Sequence, residues 1–373
     1  MKNQVKREPR LLSLDILRGF DLFMLVFFQP VVVALGNKMN LPFMKGILYQ
    51  LDHEVWIGFR AWDVIMPLFL FMAGVSMPFA FEKYRAVPDK TFLYRRIFKR
   101  CLLLFLLGMV VQGNLLGLDS RYFRFYSNTL QAIAVGYLIT SMILLHFSKK
   151  GQYIAGIVLL LLYWIPVTFL GDFTPDGNFA IRADRAILGR FMDGVFWKPD
   201  GTWSFSPDYH YTWMLSSLTF GVTVLMGAFA GQIMKNGPDK KRNVLKLAGA
   251  GAACIAVSLL WSLQMPIIKR IWTCSMTLYS GGICFLLMAL FYYIIDYRGY
   301  TRGWMWLRIY GMNSITAYVL GEVVNFRCIA ASVSYGLEPY MKGYYPVWLT
   351  FCNFLILFFI LRELYKRGIF LKV

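Results

Sequence analysis

Separated runs of Leu, Phe, Ile, Val and Met, each near the length that crosses a bilayer, leave few architectures open to this chain. Roughly 30 Å of hydrocarbon takes about 20 helical residues. No water solvates the backbone there, so each run must be a helix or a barrel strand. Continuous apolar runs favour helices, because barrel strands alternate polar and apolar residues. The runs fall at 16–35, 64–81, 101–118, 130–147, 154–170, 212–234, 245–265, 274–295, 309–324 and 347–361. They predict an all-α, polytopic transmembrane bundle of about ten helices in one domain, residues 1–373. With 58% hydrophobic residues, the chain is richer in apolar side chains than soluble domains are.

The net charge is +19. In a soluble protein that would suggest nucleic acid. Here the basic residues sit between apolar runs, the pattern that orients a membrane protein, and no nucleic-acid role is expected. Most of the 39 basic residues fall in alternate loops if both termini are cytoplasmic. The first run is too long for the core of a cleaved leader and reads as a retained helix. The compact chain suggests a multi-pass protein of a bacterial inner membrane. Two outer loops stand out, at 36–62 and 171–211. The six cysteines (Cys101, Cys254, Cys274, Cys284, Cys328 and Cys352) have no metal spacing and read mostly as small packing residues. No metal is expected.

Polar residues recur at membrane depth, where charge is costly and usually tied to function or to an internal partner. The first helix opens Leu14-Asp15-Ile16-Leu17-Arg18-Gly19-Phe20-Asp21. Asp15 and Arg18 share a face and can pair, a structural ion pair being as good a reading as a ligand site. Asp21 extends that line deeper. A second cluster, Asp52-His53-Glu54-Val55-Trp56 with Arg60, Asp63 and Pro67, precedes the second helix. A histidine there can accept and donate protons near neutral pH, though alone it would read as an interfacial residue. His146 reads as a helix-end residue, and His210 is the rival candidate. A third set is Pro266, Lys269, Trp272, Thr273 and Ser275, where Lys269 either binds an anion or snorkels. A fourth is Gly311-Met312-Asn313-Ser314, with Glu322 beyond it.

Together these clusters resemble the heparan-α-glucosaminide N-acetyltransferase family of membrane acyltransferases. The likeness is carried by residues 10–19, by His53, Trp56, Gly58, Asp63 and Pro67 with Phe69-Leu70-Phe71-Met72-Ala73-Gly74, by Pro266, Lys269, Trp272 and Ser275, and by residues 311–314. The basic tail 364–370 and, more weakly, 130–138 add to it. The resemblance implies transfer of acetyl from cytoplasmic acetyl-CoA, as co-substrate, to the amine of a terminal glucosamine on a heparan-type saccharide at the periplasmic face. His53 would act as general base, Asp63 or Asp52 would hold its tautomer, and Asn313 would donate to the oxyanion. Direct transfer is preferred to an acetyl-histidine intermediate. Arg10, Asp15, Arg18, Arg96 and Arg100 would form the coenzyme A mouth, with Arg7, Arg95 and Lys99 beside them. Asp52, Trp56, His210, Lys269, Trp272 and Glu322 would meet the sugar. The implied partners are an amino sugar, the lipid bilayer and a second copy in a homodimer. Two positions depart from the family pattern: Tyr209-His210-Tyr211-Thr212-Trp213 replaces an acidic stretch, and Gln29 stands where asparagine is common. The alternative is an amino-sugar (glucosamine or N-acetylglucosamine) transporter, against which the lack of an inverted repeat counts.

Overall fold

The computed structural model describes residues 11–39, 41–82, 90–113, 119, 121–237 and 239–371. Arg7 and Arg10 lie outside them. The described residues are mostly helical. Leu12–Phe23 (α1) runs through a π turn, Met24–Phe28, into Gln29–Met39 (α2). Pro42–Gln50 (α3) follows, then Ile65–Glu82 (α4), Thr91–Val111 (α5), Thr129–His146 (α6) and Lys149–Phe169 (α7). The loop 171–211 folds into Phe179–Leu188 (α8) and an antiparallel hairpin of Val195–Trp197 (β1) and Trp203–Phe205 (β2). Ser217–Asn236 (α9), Lys240–Ser262 (α10) and Cys274–Phe291 (α11) come next. Leu307–Met312 (α12), Ser314–Val323 (α13), Arg327–Ser334 (α14), Glu338–Met341 (α15) and Tyr345–Lys366 (α16) complete the chain.

Each of the ten expected segments overlaps a helix among the described residues. Among the described residues, eight helical segments are long and apolar enough to cross a membrane. The other two fall short for physical reasons. α5 begins at Thr91, ten positions before the expected boundary, and its first half carries Arg95, Arg96, Lys99 and Arg100. The ninth segment breaks at Asn313, whose φ of −117° and ψ of 34° are not helical. The sixth helix starts at Ser217, because 212–216 first makes a turn.

Without a hydrophobic drive between helices in lipid, close backbone approach at small residues supplies the packing. α9 is the most deeply buried span and packs on α4, α6, α7 and α11. A Cβ on Gly74 would meet the Val224 carbonyl, and one on Gly227 the Phe71 carbonyl. α1 and α12 show the same device in reciprocal form. A Cβ on Gly19 would stand 1.8 Å from the Leu307 oxygen, and one on Gly311 would stand 1.8 Å from the Asp15 oxygen. This contact holds Arg308 within 3.9 Å of Asp15, which also lies 3.9 Å from Arg18. Asp21, one turn deeper, is fully buried with no hydrogen-bond partner on either oxygen.

Backbone clashes cannot be relieved by rotating a side chain. Gly311→Ala is expected to destabilise the bundle by about 1–3 kcal/mol, the usual cost of overpacking. Gly249→Ala, whose Cβ meets nothing within 4 Å, should be neutral or slightly stabilising. Thermal unfolding in detergent, followed by intrinsic tryptophan fluorescence, compares the two.

Candidate functional site

The second sequence cluster folds around one carboxylate. Asp63 is the third residue of a 3₁₀ turn, Ala61–Val64, and is completely buried. Its Oδ2 accepts from the backbone N–H of Arg60 at 2.9 Å and of Glu54 at 3.3 Å. Its Oδ1 lies 2.8 Å from Nδ1 of His53. A carboxylate only accepts, so Nδ1 carries the hydrogen and Nε2 keeps its lone pair. Burial pulls the His53 pKa below its usual value, opposed by the hydrogen bond to Asp63. Around this core, Arg60 grips Glu54 with two bonds of 3.0 and 3.1 Å and covers the Tyr49 ring at 3.9 Å. Asp52, largely exposed, accepts from the His53 N–H at 2.8 Å and lies 3.6 Å from Arg60.

The third cluster meets the second. Gly58, at φ +133°, donates its N–H to the Ile267 carbonyl at 2.9 Å, and Ile57 bridges to Ile268. Thr273 and Ser275 both donate hydroxyls to the Pro266 carbonyl. Trp272 closes the turn at φ +55°, its N–H on the Lys269 carbonyl at 3.0 Å. A tryptophan in that region is strained by about 1–3 kcal/mol. The turn delivers Lys269, otherwise buried, so that Nζ stands 2.8 Å from Nδ1 and 3.0 Å from Nε2 of His53, and 3.5 Å from Asp63. Lys269 is therefore neither a snorkelling lysine nor a lone anion anchor. Burial lowers its pKa to about 8, against the pull of Asp63.

One cavity opens on this centre and a second shares a wall with it. The first, of about 360 Å³ and termed outer after the topology expected from the basic loops, is lined by His53, Lys269, Trp272 and Glu322 from the expected set. Sequence reasoning missed Arg270, Trp62, Tyr209, Tyr211 and Trp213, which also line it. The signal was present in the aromatic run 209–213, whose loop position hid its direction. The Trp272 indole N–H is buried without a hydrogen-bond partner. Trp56 and His210 line neither cavity. They touch edge to face at 5.8 Å, and His210 lies 3.4 Å from Asp176.

The inner cavity, of about 480 Å³, gathers Asp15, Arg18, Arg96 and Arg100 from two stretches of sequence, on α1 and α5. Phe370 and Leu371 also line it, so the start of α1 and the end of the chain meet at one end of the bundle. Arg100 stacks over Tyr137 at 4.3 Å. Asn313 lines neither cavity, though its neighbours Met312 and Ser314 line the inner one, and both its side-chain polar atoms are buried without partners. The two cavities share Phe69, Thr129 and Tyr318.

Because Asp63 raises the His53 pKa, Asp63→Asn should move the His53 midpoint further down. The pH dependence of His53 carbethoxylation by diethylpyrocarbonate, read by peptide mass spectrometry, checks this. An upward shift would contradict the hydrogen-bond assignment.

Residues 10–176 match the family model described as heparan-alpha-glucosaminide N-acetyltransferase, catalytic. The match includes α1, the His53 loop, Asp63 and the basic face of α5. The chain is also 23% identical to the human protein named heparan-alpha-glucosaminide N-acetyltransferase, over 84% of this chain and 53% of that protein. The mouse protein of that name is 22% identical over 85% and 54% respectively. The chain thus spans about half the length of the curated relatives it matches. Over residues 10–176, the likeness expected from the motifs is found: this chain is similar to the catalytic region of the heparan-alpha-glucosaminide N-acetyltransferases.

Proposed function

We propose that this chain is a membrane N-acetyltransferase that takes acetyl from acetyl-CoA at the basic end of the bundle. The acceptor is the amine of a terminal glucosamine on a heparan-type saccharide, reached from the other end. The observation that carries this reading is that the two cavities lie back to back, sharing the wall of Phe69, Thr129 and Tyr318. Movement of that wall would join guanidinium groups at one mouth to an imidazole at the other. Both termini would then lie on the cytoplasmic side, since basic loops stay inside, and the acceptor would arrive from the periplasm of a bacterial inner membrane.

The residues present fit the donor. Phosphates suit Arg18, Arg96 and Arg100, because guanidinium pairs with them bidentately; Asp15 lines the same mouth, and Arg10, outside the described residues, precedes it in the sequence. The pantetheine arm would follow the apolar lining toward Phe69. On the acceptor side, the aromatic walls of Trp62, Tyr209, Tyr211, Trp213 and Trp272 suit a sugar ring, with Glu322 placed for its hydroxyls or ammonium. Trp56, His210 and Asp52 would steer the saccharide in from outside. An ammonium has no lone pair and cannot attack a thioester. Nε2 of His53, kept unprotonated by burial and left as the lone-pair atom by the Nδ1–H bond to Asp63, takes the proton. Asp63 then stabilises the imidazolium. Asn313, which lines neither cavity, is not placed for the developing oxyanion; the unpartnered Trp272 N–H would meet it instead. One site suffices for direct transfer, so no acetyl-histidine is needed. The transporter alternative lacks a feature of its own here.

His53→Ala is expected to cut kcat by about 10²–10⁴-fold, the usual contribution of a general base. The wild-type rate should rise with pH along a limb whose midpoint lies below 6.5, because the folded His53 pKa is lowered from that value. Radiolabelled acetyl-CoA and glucosamine in detergent give both readouts. Thr129→Trp, filling the shared wall of the cavities, should abolish transfer while coenzyme A binding persists. Full transfer through a plugged junction would overturn the path.

A further inference from the structure

The amine of Lys269 already lies against the imidazole to which the proposed reaction brings the acceptor amine. It stands 2.8 Å from Nδ1 and 3.0 Å from Nε2 of His53, beside the atom expected to receive the acceptor's proton, and it lines the outer cavity. The turn that holds it is strained at Trp272 and tied through Gly58 to the histidine loop, so the contact is built rather than incidental. The groups that act on this amine are Asp63, Asp52 and Arg270 besides His53.

We propose that Lys269 is a self-acetylation site: with donor bound and no sugar present, its amine takes the acetyl group and closes the outer cavity. This rests on the acetyltransferase reading above. The neutral Lys269 amine adds to the thioester carbonyl, forming an N–C bond. The C–S bond breaks, the amine's proton passes to Nε2 of His53, and the coenzyme A thiolate leaves and takes that proton. The product is an amide, which the next sugar cannot discharge. Acetyl-Lys269 has lost its ammonium and its pairing with Asp63, and its added bulk lies where the acceptor amine must sit. The reaction is chemically accessible because burial favours the neutral amine. The enzyme would thus be silenced when donor outlasts acceptor, and a bound sugar would protect it by displacing Lys269 from Nε2.

The test incubates the purified full chain with trideuteroacetyl-CoA at pH 8, with and without glucosamine, and reads every lysine by peptide mass spectrometry. Expected are labelling of Lys269 ahead of exposed lysines such as Lys149, loss of transfer activity in step with it, and protection by glucosamine. His53→Ala should slow Lys269 labelling by about 10²-fold. Equal labelling in wild type and His53→Ala would show mere chemical acetylation and overturn the proposal. Unlabelled Lys269 beside acetylated glucosamine would overturn it while leaving the acetyltransferase reading intact. If neither is acetylated, both fail.

Discussion

A buried carboxylate must be satisfied from several sides at once, and Asp63 is where this requirement shapes the molecule. Moving a charge out of water costs far more than one hydrogen bond returns. Asp63 therefore draws in the His53 ring, two backbone N–H groups and the Lys269 ammonium. Each partner brings a constraint. The backbone bonds fix the 53–63 loop, the ring bond fixes the imidazole tautomer, and the lysine ties in a turn more than two hundred residues further along the chain. The rest of the site is arranged around what Asp63 needs.

The bundle leaves one cavity open on this centre and a second that shares a wall with the first. Glycine contacts let α1 lie against α12 and α4 against α9 with backbones touching, so side chains are free to line cavities instead of filling the interface. The break at Asn313 adds to the opening, since 311, 312, 314, 315 and 318 all border the inner cavity. The outer loop 171–211 is anchored over the other cavity by Asp184. Its buried carboxylate accepts from the backbone N–H groups of Trp213 and Met214. Burial raises the Asp184 pKa to about 6, against these bonds.

Much of this was legible in the sequence. The apolar runs placed the helices, because a bilayer allows little else. The His53 to Asp63 spacing and the basic residues before the third run pointed to the two ends of the site. What was hidden has physical reasons. The start of α5 was misplaced because the apolar-run criterion stops at the first cluster of charge, whereas a helix can carry arginines to the interface and beyond it. The contact of Lys269 with His53 depends on a strained turn at Trp272 and a glycine at Gly58, features whose three-dimensional consequence no spacing reveals. Trp56 and His210 looked like site residues, yet they pair with each other beside the cavity. The aromatics at 209, 211 and 213 were visible, but only a folded loop shows which way they face.

The central claim is that donor and acceptor reach one imidazole from opposite ends. Proteoliposomes test it directly, with the chain reconstituted in one orientation, acetyl-CoA confined to the side of the termini and glucosamine confined to the other. The account predicts acetylated glucosamine on the acceptor side with no exchange of coenzyme A across the bilayer. Product formed only when both substrates share one side would contradict it.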